Sequence, residues 1–249
     1  MAAEGSAVAA PAAIPSRFDW SVGSAIGTSI VTVVRNFLPF VGLSLLIGVP
    51  RAFLDRAGLQ MGLTLLADMV IGQMVTIILI YATVQSLRGR KAGIVECLGQ
   101  GFRRLPIAIV VAIVAVLLYA LGLILLIIPG LFLITLWAVA IPAAVVETPG
   151  ILGSFSRSVH LTGGRRWRVF GTIFLSWLIY AAVYFGALIA IVPLLGSGQG
   201  DRWLMMLIPL WLVGSILQAY LSALSGVLYY FLRRDKEGAD IETIAAVFD

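Results

Sequence analysis

Long apolar stretches alternate along this chain with shorter segments in which apolar and polar residues share a helical spacing. In the first short segment Val22, Ile26, Ile30 and Val34 recur every four residues while Ser24, Thr28, Thr32 and Arg35 point away, the pattern of an amphipathic helix lying on a bilayer surface. The same pattern returns at Ile94, Leu98 and Phe102, set against Glu96, Gln100, Arg103 and Arg104, and again at Ile151, Phe155 and Val159. Between them lie the apolar runs 36–50, 61–87, 106–128, 131–146, 169–195 and 203–232. Most reach the roughly 20 residues that cross a hydrocarbon core. The first is short: its uncharged residues make about 22 Å of helix against a core of roughly 30 Å. It is expected to extend through 52–54, with Arg51 snorkelling to the surface. Pro129-Gly130 is expected to turn the third span back into the fourth, Pro142 to kink the fourth, and the long sixth span to tilt.

These elements predict an all-α polytopic membrane bundle: six transmembrane helices with three interfacial amphipathic helices on the cytoplasmic side. A tail over 1–18 is expected to be disordered, the spans to occupy 19–232, and 233–249 to form a cytoplasmic tail with a small helix from Asp240. Each amphipathic triplet is followed by a basic residue or histidine (Arg35, Arg103, His160) and then by a span ending at Pro50, Pro129 or Pro193. The chain therefore reads as three units of interfacial helix plus membrane hairpin.

Composition agrees, with 61% hydrophobic and 12% charged residues and a mean hydropathy of +1.06. A formal charge of +5 would suggest nucleic acid in a soluble protein. In a membrane chain it reports orientation, because Lys and Arg collect on the cytoplasmic side. With the N-terminus inside, fourteen Lys and Arg fall inside and only Arg51, Arg56 and Arg202 outside. The expectation is a bacterial inner membrane with both termini cytoplasmic and no nucleic-acid partner. The single cysteine, Cys97, excludes an intrachain disulfide, and the single histidine, His160, a His-based metal cluster.

Two stretches carry a resemblance. Pro129-Gly130, Trp137, Pro142, Glu147, Arg157-Ser158, Leu161-Thr162, Gly164 and Trp167 form the first. Tyr229-Tyr230, Leu232-Arg233, Lys236-Glu237-Gly238 and Asp240-Ile241-Glu242 form the second. Together they resemble the bacterial six-span family related to the membrane domain of glycerophosphoryl diester phosphodiesterases and to YciC-like inner-membrane proteins. The resemblance implies a polytopic helical bundle. The phosphodiesterase barrel has no room in this chain, so its activity is not implied.

Candidate chemistry is sparse. Asp68 is the one acid well inside an apolar run, and an intramembrane acid marks an ion or proton path unless it reaches water or a partner such as Arg51 or Arg56. Gly72, Thr76 and Thr83 share its helix face, with Gln73 beside it. Ser215, Gln218, Ser222, Ser225 and Tyr229 make a second small-polar stripe, which packs helices far more often than it lines a cavity. Arg165, Arg166, Trp167 and Arg168, with Arg103 and Arg104, could hold anionic headgroups or simply stop translocation. Glu147 is expected to pair with Arg157 or Arg165, and the six tryptophans to lie mostly near the interfaces. No nucleotide loop, metal motif or nucleophile–base set occurs, so no cofactor and no metal are expected. The leading expectation is a non-enzymatic membrane protein that organises anionic lipid or a membrane-protein partner, a second copy included. The alternative is a small-solute or ion-coupled transporter or channel-like bundle using Asp68.

Overall fold

The computed structural model describes residues 19–45, 61–89, 94–125, 127–147, 149–194 and 202–237. All regular structure among them is helical: α1 (Val22–Arg35), α2 (Phe37–Leu45), α3 (Met61–Leu87), α4 (Ile94–Leu125), α5 (Ile127–Leu136), α6 (Ala140–Val146), α7 (Gly150–Thr162), α8 (Arg166–Leu194) and α9 (Arg202–Glu237). Five of the described segments are long and apolar enough to cross a membrane, or six if the bent pair α1–α2 counts as one span. The chain is a polytopic helical membrane bundle. The N-terminal tail, the loop over 46–60 with Arg51 and Arg56, the turn over 195–201 and the segment after Glu237 lie outside the described residues.

Side-chain contacts fix how the helices run. Gln218 on α9 bonds Thr76 on α3, and one helical stretch further on Gly226 meets Thr83, so α3 and α9 are parallel. Tyr81 meets Glu96 and Ile78 meets Gly101, so α4 runs back antiparallel to α3. Asn36 reaches Ser86 at 3.2 Å, while Phe40 packs with Val75 and Leu79, so α2 also runs antiparallel to α3. The C-terminal ends of α3 and α9 and the N-terminal ends of α2 and α4 therefore share one end of the bundle. Arg35, Arg88, Arg233 and Arg234 mark it, whereas Arg202 opens α9 at the other.

The amphipathic segments bury a different face from the one expected. In α1 the protected residues are Ala25, Ile26, Ser29, Thr32 and Val33, while Ile30 and Val34 are exposed. In α4 Cys97 and Gly101 are buried and Phe102 is exposed. In α7 the inner face is Ser154, Phe155, Ser158, Leu161 and Thr162, and Ile151 is exposed. The buried line is displaced by one residue from each apolar triplet: 25/29/33, 97/101 and 154/158. In a bilayer, apolar bulk gains nothing by hiding from lipid, whereas small residues allow helix backbones to approach closely. Hydroxyls on these faces bond their own helix, as Ser29 does to the Ala25 carbonyl at 2.7 Å and Ser154 to that of Gly150 at 2.7 Å, so neither is left without a partner.

The three expected units also join their helices differently. α1 and α2 meet at 81° about Asn36. In the second unit α4 passes unbroken through Pro106. In the third a Gly163-Gly164-Arg165 turn separates α7 from α8, with Gly164 at φ 79°, a conformation that favours glycine. Pro129-Gly130 is not the turn between spans three and four. Both residues lie inside α5, where Pro129 occupies the first helical turn and needs no N–H partner. Gly130 serves closeness instead: a Cβ on Gly122 would meet its Cα at 3.1 Å. α9, for its part, continues through Arg233 to Glu237.

The α3–α9 seam is closed by size. A Cβ on Gly226 would meet Thr83 Cγ2 at 3.0 Å, whereas one on Gly214 meets nothing within 4 Å. Gly226→Val is expected to cost about 1–3 kcal/mol through overpacking, and Gly214→Ala to be neutral or mildly stabilising. Reversible unfolding of the purified protein in detergent measures both.

Candidate functional site: a carboxylate hub at the basic end

The fourth span breaks rather than kinks. α5 ends at Leu136 and α6 starts at Ala140, with Trp137, Ala138 and Val139 in a turn. Pro142 dictates the place, because it has no N–H to give the Ala138 carbonyl and its ring would crowd it; starting a new helix at 140 puts Pro142 back in a first turn. The break exposes backbone groups, which α7 satisfies. Ser158 Oγ donates to the Leu136 carbonyl at 2.9 Å and accepts from the Val139 N–H at 3.2 Å. Thr162 Oγ1 donates to the same carbonyl at 3.3 Å. Phe155 sets its edge on Trp137 (5.3 Å), which stacks on Tyr119 of α4 (6.1 Å). α7 is thus docked into the broken span by its small polar face, and is not a helix lying only on the surface.

Glu147 caps the other end of α6, and its carboxylate collects partners from two more helices. Arg157 of α7 donates through Nε at 2.6 Å and through Nη2 at 3.0 Å, a bidentate clasp. Tyr229 of α9 donates its hydroxyl at 2.5 Å, and Arg233 lies 3.8 Å away. Arg233 also donates to the Tyr229 hydroxyl at 3.2 Å and pairs with Glu237 at 2.9 Å. Glu237 in turn pairs with Arg157, closing a ring of two acids, two arginines and a phenol. Burial pulls the Arg157 guanidinium down, but the hydrogen bonds to Glu147 and Glu237 outweigh it and hold the group above its ordinary value. The stretches 147–167 and 229–237, far apart in sequence, meet in this ring.

A second set of pairs ties the base of α8. Arg165 forks onto Asp235 at 2.9 and 3.1 Å, and that bond raises its pKa. Arg168 bonds Asp19 and the Trp20 carbonyl, the latter at 2.9 Å. The Arg168 bond and charge hold the Asp19 carboxyl below its usual range, so this tether is complete at neutral pH and is lost only as pH falls through that depressed value. Next to it Trp20, expected near an interface, is 2% exposed and packs on Phe231 at 6.1 Å. Trp167, by contrast, is 86% exposed.

The structure therefore separates the sequence candidates. Glu147 pairs with Arg157, one of its two expected partners. Arg165 and Arg168 already have carboxylates. Arg166 has none among the described residues, and rests over the Phe132 ring at 5.1 Å. Arg103 is exposed, and Arg104 lies along α4 with Nη1 occluded and without an acceptor. On the intramembrane side, Gln218 Nε2 bonds Thr76 Oγ1 at 2.9 Å and Ser222 bonds the Gln218 carbonyl at 2.8 Å; Gln73 Oε1 is occluded with no partner. Asp68 sits on α3, its side chain outside the described residues. No family model, curated protein or solved structure matches this chain.

Sequence reasoning missed Tyr229, Arg233, Asp235 and Glu237 as members of one site. The signal that could have found them is the excess of charge continuing helically past the sixth span, in phase with Tyr229. Two shallow hollows open at this end, of about 320 Å³ beside Asp19, Trp20 and Arg168 and about 280 Å³ beside Gly163, Arg165 and Lys236. Both are lined by the tethers themselves. Among the described residues no group of three His, Cys, Asp or Glu side chains could hold a metal ion. What this arrangement does chemically is clamp helix ends.

Removing the hub charge should show its weight. Glu147→Gln leaves Arg157 and Arg233 facing an amide, and with 19% of the glutamate side chain exposed the expected loss is about 2 kcal/mol, below the full cost of breaking a buried pair. Glu237→Gln should cost less, because that side chain is more exposed, at 27%, and Glu147 keeps the bidentate Arg157 contact and the Tyr229 hydroxyl. Chemical unfolding of the two variants gives the comparison.

Proposed function

We propose that this chain is a non-enzymatic protein of the bacterial inner membrane, with both termini cytoplasmic, that organises lipid or partner proteins there. The observation that carries the reading is the position of α8. Only 6% of its span 166–191 is buried, against 28% for the α4 span and 50% for the other three long spans. The helix is held at its base by Arg165 and Arg168 and further along by Tyr220 of α9, whose hydroxyl donates to the buried Ser176 at 2.9 Å, and it leaves most of its remaining surface to the membrane. Its outward side presents Phe174, Trp177, Leu178, Phe185 and Ile189, all exposed, with Ala182, Gly186 and Ala190 between them. Small residues four apart on an exposed span are what a second membrane helix needs for close approach. Kinship with the six-span family named above belongs to this proposal, and rests on the residues quoted for it.

The ion-coupled alternative draws less support. The polar residues of α3 and α9 that would line a path bond each other across a seam that Thr83 and Gly226 pack shut. Orientation is supported by the basic residues at one end of the bundle, as the positive-inside rule requires of a cytoplasmic face.

Photo-crosslinking tests the role. Benzoylphenylalanine in place of Phe185 should give a discrete protein or lipid adduct in native membranes, while Val116 on α4, also exposed, serves as the comparison. Identical adducts at both positions would count against α8 as an interaction helix. Orientation is tested by impermeant thiol labelling of Ser6→Cys, Gly198→Cys and Gly238→Cys in a Cys97→Ser background. Only Gly198→Cys should react in intact cells; reaction of either terminal cysteine contradicts the assignment.

A further inference from the structure

We infer that Arg166, with the aromatic side chains beside it on α5 and α8, is a binding site for the phosphate of one anionic phospholipid. The inference rests on the lipid-organising reading above and specifies where one lipid sits. Three arginines crowd the start of α8, and two of them are spoken for: Arg165 by Asp235 and Arg168 by Asp19. Among the described residues Arg166 makes no ion pair. Its guanidinium carbon instead lies over an aromatic face, 5.1 Å from the centre of the Phe132 ring. Its Nε is occluded and meets no acceptor. A guanidinium partly stripped of water and lacking a counter-charge favours any anion that can reach its open nitrogens.

The surroundings select a lipid over a free anion. Arg166, Phe170 and Phe174 follow one another at four-residue spacing down α8, so they share a face, and the two rings stack at 5.7 Å. On α5, Phe132 under the guanidinium and its neighbour Leu131 are both exposed. The site therefore has a cation at its mouth and an aromatic wall running down α8, matching a phosphate followed by an acyl chain. Trp167, exposed and edge-on to Phe170 at 6.2 Å, stands beside the mouth, where amphipathic rings meet headgroups. Inorganic phosphate would satisfy the cation and leave the wall uncovered.

The test uses the full chain, exchanged from detergent into mixtures of phosphatidylglycerol and phosphatidylcholine, with bound lipid read by native mass spectrometry. Arg166→Gln should lower selective retention of phosphatidylglycerol about ten-fold, the worth of a charge-assisted contact. Phe132→Leu, which keeps the charge, should lower it about two-fold. Arg103→Gln, an equal loss of charge at the same end, should leave it unchanged, and millimolar inorganic phosphate should not displace the lipid. Equal retention by wild type and Arg166→Gln overturns the site, as does an equal drop in Arg166→Gln and Arg103→Gln. Displacement by inorganic phosphate overturns the lipid as ligand. Because α8 crosslinking at Phe185 does not depend on Arg166, adducts that persist when this site fails would leave the broader reading standing.

Discussion

A carboxylate at the end of a membrane bundle has to be matched, and matching Glu147 shapes everything around it. Its oxygens draw Arg157 from α7 and Tyr229 and Arg233 from α9, so three helices that leave the membrane at different points are brought to one locus. Desolvating the acid is costly, and that cost is offset only while all its donors are in place. The same condition fixes α7, since Arg157 and the Ser158 hydroxyl are neighbours on one helix. One reaches the hub and the other fills the gap in the broken span.

That break shows how a local backbone rule becomes tertiary structure. Pro142 cannot sit deep in a helix, so α6 restarts at Ala140 and leaves the Leu136 carbonyl and the Val139 N–H without intrahelical partners. In lipid, unsatisfied backbone groups cost several kcal/mol, so non-helical backbone survives only where protein covers it. Ser158 and Thr162 supply the cover. α7 is held by polar complementarity to the break at least as much as by any apolar face.

Much of this was legible in the sequence. The apolar runs located the spans, Glu147 was expected on Arg157 or Arg165, and Pro142 marked an irregularity. The buried faces of the amphipathic helices were not legible, because hydropathy periodicity answers a question about water. Ile30, Phe102 and Ile151 face outward, where lipid accepts them, while Ser29, Gly101, Ser154 and Ser158 pack inward because they are small. Pro129-Gly130 read as a turn for a related reason: both residues break helices in water, yet a proline in a first turn and a glycine at a close helix contact are at home in a span. The burial of Trp20 was not legible either, because an exposed interfacial indole and a buried one look alike in sequence until Phe231, more than 200 positions away, is brought against it.

The central claim is that Glu147 couples α7 to the bundle, and a double-mutant cycle measures coupling directly. Stability would be compared for wild type, Glu147→Gln, Arg157→Gln and the double variant, with reversible unfolding in one detergent. The account predicts a coupling energy of at least about 1 kcal/mol, the double variant losing less than the sum of the single variants, as residues in one charge network do. Losses that add to within about 0.5 kcal/mol, the behaviour of independent sites, would contradict it.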